Sequence, residues 1–178
     1  TSNTAVHTFS GQSLGAADSS RIIAVAVGAG WNNLNGRTLN SVTVGGTSLT
    51  KRIGAVAVSS GTSRGVAISV HSLVGAVAAA PDVTATDFDN GGSSSPLELD
   101  VNTQKGGYVI GCGVSFKAPP NTGTWSGLTE LTDSMTGNIA QTAANYSPTS
   151  NETPRTITLT FTLGSNAQAG VAASWFPA

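Results

Sequence analysis

The chain has 178 residues, with 22 Gly, 39% hydrophobic and only 10% charged residues, one Cys and a formal net charge of -1. That length can support one self-sufficient core over 1–178, and low charge with abundant Gly, Ala, Ser, Thr and Val argues against a helical bundle or coiled coil. Eight basic against nine acidic residues, with no run of either sign, give no footprint for nucleic acid or an anionic membrane surface.

In chain order, period-two alternation predicts strands at 5–9, 21–29, 41–45, 48–57, 65–74, 83–88, 97–101, 108–116, 138–146, 156–163 and 168–176, about eleven in all. In 21–29, Ile23, Val25 and Val27 oppose Ile22, Ala24 and Ala26, and in 65–74, Val66, Ile68 and Val70 align. Both segments read as central strands. Gly45-Gly46, between Val42-Thr43-Val44 and Leu49, reads as a two-residue hairpin, because primed turns need positive φ.

Further on, Leu97, Leu99 and Val101 share one face, with Glu98 and Asp100 on the solvated side, about 7 Å apart along the strand. In 108–116, Tyr108, Ile110, Cys112, Val114 and Phe116 share one face. The opposite face, Val109, Gly111, Gly113 and Ser115, must be closely covered or solvated. The cleanest alternation is 156–163, with Ile157, Leu159, Phe161 and Leu163 against four threonines.

Gly, Pro, Asn and Ser clusters at 30–37, 59–64, 90–96, 118–124 and 147–154 read as loops. The most apolar stretch, 66–80, is shorter than the ~20 residues of a spanning helix and carries His71. No basic region followed by an apolar segment opens the chain, so no secretory leader is expected. Many short strands without a credible helix predict an all-β fold: an antiparallel two-sheet sandwich, jelly-roll-like rather than immunoglobulin-like.

Motifs for chemistry are sparse. Gly11-Gln12-Ser13-Leu14-Gly15 fits the nucleophile-elbow pattern, which requires a turn between a strand and a helix of an α/β sheet. A strand follows instead, so no catalytic residue is assigned and the chain is expected not to be an enzyme. The segment from Asp87-Phe88-Asp89 to Leu97-Glu98 carries oxygen ligands spaced as in an EF-hand, but Gly91 stands where Asp or Asn is needed and both flanks read as strands. A calcium site of another type, from Asp87, Asp89 and Glu98, remains a candidate, and no other cofactor is implied.

His7 and His71 read as ordinary strand histidines, and Cys112, aligned with Ile110 and Val114, as a small hydrophobe. A lone Cys excludes an internal disulfide and a thiolate cluster. Gly28-Ala29-Gly30 and Gly111-Cys112-Gly113 lack the further glycine and helix of a phosphate cradle. Asn145-Tyr146-Ser147 and Asn151-Glu152-Thr153 fit the glycosylation pattern without an accompanying leader. Trp31 with Asn32, Asn33 and Arg37, and Trp125 after a polar loop, form a candidate glycan-binding set, since indole faces stack on sugar C–H groups while Asn and Arg bond hydroxyls. The same rings could equally plug the ends of the sandwich.

The order of segments resembles a group of small β proteins among the structural genes of tailed bacteriophages. The pieces are Arg21-Ile22-Ile23-Ala24-Val25-Ala26-Val27, Ser41-Val42-Thr43-Val44-Gly45-Gly46-Thr47, Val66-Ala67-Ile68-Ser69-Val70-His71-Ser72-Leu73, Gly107-Tyr108-Val109-Ile110-Gly111, Thr124-Trp125-Ser126-Gly127-Leu128-Thr129-Glu130 and Ala172-Ala173-Ser174-Trp175-Phe176. The resemblance implies a non-catalytic virion protein: a capsid decoration or cement subunit, a head fibre, or a tail-fibre domain. Its partners would be the major capsid protein or other virion proteins and further copies of itself, often as a trimer. The absence of heptads or triple-helical repeats favours a compact surface subunit over a shaft. The alternative is a carbohydrate-binding adhesin that recognises a host surface polysaccharide.

Overall fold

The structure, a computed structural model, describes residues 8, 10, 16, 21–30, 41–44, 47–48, 65–74, 81–89, 96–116, 120–162 and 167–177. Among these residues the chain is all-β and no helix occurs. The strands are β1 (Arg21–Gly30), β2 (Thr43–Val44), β3 (Thr47–Ser48), β4 (Gly65–Val74), β5 (Val83–Asp89), β6 (Leu97–Glu98) and β7 (Val101–Thr103). They continue as β8 (Tyr108–Phe116), β9 (Gly123–Ser126), β10 (Thr129–Thr136), β11 (Ile139–Tyr146), β12 (Glu152–Arg155), β13 (Thr158–Phe161) and β14 (Gln168–Trp175). The strand predicted at 5–9 and most of that at 48–57 lie outside the described residues.

One antiparallel sheet runs β10-β11-β8-β14-β5, a second β6-β13-β9, with β7-β12, β1-β4 and β2-β3 as pairs. Val44 stands opposite Thr47 in an antiparallel pair, and the predicted turn at Gly45-Gly46 lies outside the described residues.

From β5 onward the pairing is nested. Val83 faces Ser174, Glu98 faces Thr158, Val101 faces Arg155 and Phe116 faces Ile139. The two members of each pair lie almost equally far along the chain from Gly127 and Leu128. The described strands from β5 to β14 therefore pair as the two arms of an antiparallel hairpin centred on Gly127, whose φ of 85° suits glycine. The hairpin rolls on itself: β14 pairs laterally with β8, and β13 with β9.

The strands predicted at 97–101 and 156–163 face each other but break where the roll bends. At the break Leu99 N–H donates to Ile157 O (2.9 Å), and Ile157 N–H donates to the Asp100 carboxylate (2.8 Å). A side-chain oxygen thus replaces a ladder carbonyl, so the buried Ile157 N–H keeps a partner where the register shifts.

The inner strands of the five-stranded sheet, β11, β8 and β14, are buried on both faces. One face meets the inner side chains of the second sheet, Leu97, Leu99, Ile157, Leu159 and Phe161, in the main core. The small residues of β8 are the receiving side of this contact. A Cβ on Gly111 would lie 2.8 Å from the Trp125 ring and 2.6 Å from Leu128, and one on Gly170 would lie 2.8 Å from Leu99. Gly113 and Gly170 are register partners, so together they leave the depression that the leucines fill.

On the other face Leu73, with Ile22 and Ala24 beside it, packs against Ile110, Cys112, Ala173 and Trp175. The β1–β4 ribbon is thus a third layer, over a β-sandwich-like body. Its two strands pair through ten residues each, from Arg21 opposite Val74 to Gly30 opposite Gly65.

Candidate functional site

Carboxylates are a common source of acid–base and cation chemistry, and in the rolled hairpin Asp82, Asp87, Asp100 and Asp133 bond backbone N–H groups. Asp82 accepts from Phe176 N–H (2.7 Å), closing the outer end where β5 meets β14. Asp87 accepts from Phe88 N–H through one oxygen and from Glu98 N–H through the other, each at 2.8 Å, fixing the corner between β5 and β6. Asp100 bridges the strand break described above. Asp133 accepts from Gly123 N–H (3.3 Å), joining β10 to β9. The Asp82, Asp100 and Asp133 bonds join segments that the nested pairing brings together, and a charged acceptor makes such bonds stronger than neutral ones.

The tip is held by Arg155. Its Nε–H donates to Gly127 O (2.6 Å), its Nη1 contacts Glu152 (2.7 Å), and its guanidinium lies 3.6 Å from the Tyr146 ring centroid. Planar, multivalent and permanently charged, arginine can satisfy all three at once.

The sequence-derived candidates are distributed as follows. Asp87 and Asp89 project to the same side of β5 and Glu98 sits on β6, but Asp87 reaches the Glu98 backbone rather than converging with its carboxylate. Among the described residues no three His, Cys, Asp or Glu side chains gather as a metal group. Trp125 is 8% exposed, and its indole N–H donates to Thr142 Oγ1 (2.8 Å) within the main core. The ring plugs the sandwich over Gly111 and presents no face for a sugar. Trp31, Asn32, Asn33 and Arg37 lie outside the described residues, as do His7 and 11–15. Glu98 and Asp100 are exposed opposite buried Leu97, Leu99 and Val101, as the alternation predicts.

Two groupings escape the sequence. Glu130 and Asp133 are three apart, a spacing that puts regular-strand side chains on opposite faces. The register shift between Glu130 and Thr132 inserts an extra residue, Leu131, and brings both carboxyls to one face. The Glu130 carboxyl is pushed above the ordinary range by desolvation, then by the Asp133 charge and a hydrogen bond to Asp133. Acids on a bulged outer strand are a common defence against edge-to-edge pairing. That defence is needed where Leu131 is 52% exposed on β10 and Phe88 56% exposed on β5, the two outer strands of the sheet.

The second grouping joins layers: Cys112 Sγ on β8 meets His71 Nε2 on β4 at 3.8 Å. Burial lowers the His71 pKa, which favours a neutral ring. Both residues lie on strands that the sequence places, but which strands stack cannot be read from alternation alone. Comparison with protein-family models, curated proteins and solved structures gives no match.

Proposed function

We propose that the chain is a non-catalytic structural subunit of a tailed-phage particle, a capsid decoration, cement or head-fibre protein that assembles with copies of itself and with the major capsid protein. The observation that carries the non-catalytic reading is the use of the carboxylates. Asp82, Asp87, Asp100 and Asp133 lace the corners of the rolled hairpin through backbone N–H groups, and Glu152 holds the arginine that pins its tip. Carboxyls engaged in this way are not free to meet a substrate, and Glu130 and Asp133, which pair with each other on the outer strand, are read as edge protection.

The jelly-roll reading is supported by the nested order. The first strand of the roll pairs with the last, β5 with β14, then β6 and β7 with β13 and β12, then β8 with β11. This is the winding expected when one hairpin is wrapped into two facing sheets.

Assembly is supported by a segregation of charge that runs of like residues do not reveal. Residues 1–80 carry Arg21, Arg37, Lys51, Arg52 and Arg64 against Asp18, a formal charge of +4. Residues 81–178 carry Asp82, Asp87, Asp89, Glu98, Asp100, Glu130, Asp133 and Glu152 against Lys105, Lys117 and Arg155, a formal charge of -5, which gives the overall -1. A near-neutral chain divided in this way is suited to pairing its basic part with the acidic part of a neighbour.

The test is gradient purification of particles from the lysate in which the chain is made, followed by immunoblotting. Co-banding with particles, and release on raising the salt, is the expected result. A chain found only in the soluble fractions overturns the proposal.

A further inference from the structure

We propose that the β1–β4 ribbon is an acid-releasable layer, which docks on the five-stranded sheet through the His71–Cys112 contact and its apolar surround and lifts away when His71 is protonated. This goes beyond the structural role above and does not depend on it.

The geometry gives three grounds. First, among the described residues β1 and β4 form a ladder with each other and with no other strand. The layer can therefore separate without breaking a strand pairing. Secondly, His71 lies opposite Ala24 in that ladder, on the face that Ile22 and Leu73 turn toward the sheet. Its Nε2 reaches Cys112 Sγ at 3.8 Å inside the contact. Thirdly, the same contact buries the Trp175 indole Nε1 without a hydrogen-bond partner. Water would supply that partner once the layer lifts, so the docked state is already working against an unsatisfied donor.

Among the described residues, those packed in this contact offer no counter-charge to a proton on His71. The contact around the His71–Cys112 pair is made by Ile22 and Ala24 from β1, Leu73 from β4, Tyr108 and Ile110 from β8, Ala143 from β11, and Val171, Ala173 and Trp175 from β14. Among these only Tyr108 and Cys112 titrate, and none is a carboxylate. Arg21, at the end of β1, bonds the Ala16 carbonyl (2.7 Å) and adds no anion.

The sign follows from burial. His71 has a lower pKa docked than free, so the undocked state binds more protons. Docking is at full strength above the ordinary imidazole pKa of 6.5 and weakens as pH falls below it, levelling off once the docked pKa is passed.

Cys112, the single cysteine of the chain, reports the event directly. The full-length protein is labelled with 4,4′-dithiodipyridine at neutral and mildly acidic pH, with rates normalised to glutathione under the same conditions, and far-UV circular dichroism follows the overall fold. The normalised rate should rise up to about tenfold per pH unit on acidification below 6.5, the most that uptake of one proton allows, with the far-UV spectrum unchanged. His71→Gln and His71→Leu should both abolish that rise. Equal normalised rates across the pH range would overturn the proposal. So would an acceleration that persists in both variants, or one that appears only with global loss of β signal.

Discussion

Gly113→Ala probes the contact on which the two-sheet body rests. The new methyl group would fall inside van der Waals distance of Leu159 Cδ2, with Thr142 Cγ2 at 3.4 Å. Leu159 and Thr142 are both fully buried, and Thr142 is held by the Trp125 indole. Overpacking of this kind costs about 1–3 kcal/mol. The loss of unfolded-chain freedom on replacing glycine returns roughly 0.4–1 kcal/mol, leaving a net destabilisation of about 1–2 kcal/mol. Leu159→Ala alone should cost about 3 kcal/mol through its cavity. Combined, the two changes relieve each other, because the methyl group at 113 grows into the space that Leu159 vacates. The double variant should be at least about 1 kcal/mol more stable than the two separate losses predict, a coupling measurable by urea unfolding at unchanged m. Additivity within about 0.5 kcal/mol, or a neutral Gly113→Ala, would refute the packing of β13 on β8.

Three further outcomes follow from the lacing. Arg155→Ala removes a carbonyl bond, an ion pair and a cation–π contact at the tip, and should cost about 2 kcal/mol by denaturant titration, with Arg155→Lys recovering only part. Asp100→Ala should cost about 1–2 kcal/mol by leaving Ile157 N–H unpaired, whereas Asp100→Asn, which keeps an acceptor, should cost less than half as much. Glu130→Gln should raise the thermal midpoint slightly at neutral pH, because a carboxyl with a raised pKa disfavours the folded state while it is ionised. That advantage should vanish as pH falls through the carboxylate range, and thermal scans at several pH values check it.

Much of the local structure was legible in residue order, because burial on one face enforces alternation. Tyr108–Phe116 and Gly65–Val74 appear with the predicted bounds, and Ile157, Leu159 and Phe161 point inward as their spacing requires. The covering of Gly111 and Gly113 was left open by the sequence, since small residues look alike beneath a leucine or beneath water. Strands β9, β10 and β12 escaped for identifiable reasons. Gly123–Ser126 follows a Pro and Asn cluster, Thr129–Thr136 is a polar, bulged outer strand, and Glu152–Arg155 contains Pro154.

The candidate site was less legible. Asp87, Asp89 and Glu98 have a ligand-like spacing, but spacing does not say whether an oxygen will meet a cation or a backbone N–H. Asp87 meets the Glu98 N–H. Trp125 was ambiguous between sugar platform and core plug until its neighbours were known, because Gly111 and Thr142 are remote in sequence and adjacent only after the hairpin rolls. His71 and Cys112, 41 residues apart, are joined by layer stacking, which leaves no periodic trace in either strand.

The central claim, a structural subunit of a particle, is tested most directly by quantitative mass spectrometry of gradient-purified particles, expressing this chain as copies per major capsid protein. A ratio near a simple fraction of the capsid copy number is the predicted result, and a few to a few tens of copies would move the subunit to a head fibre or tail component. Complete absence from purified particles would contradict the account.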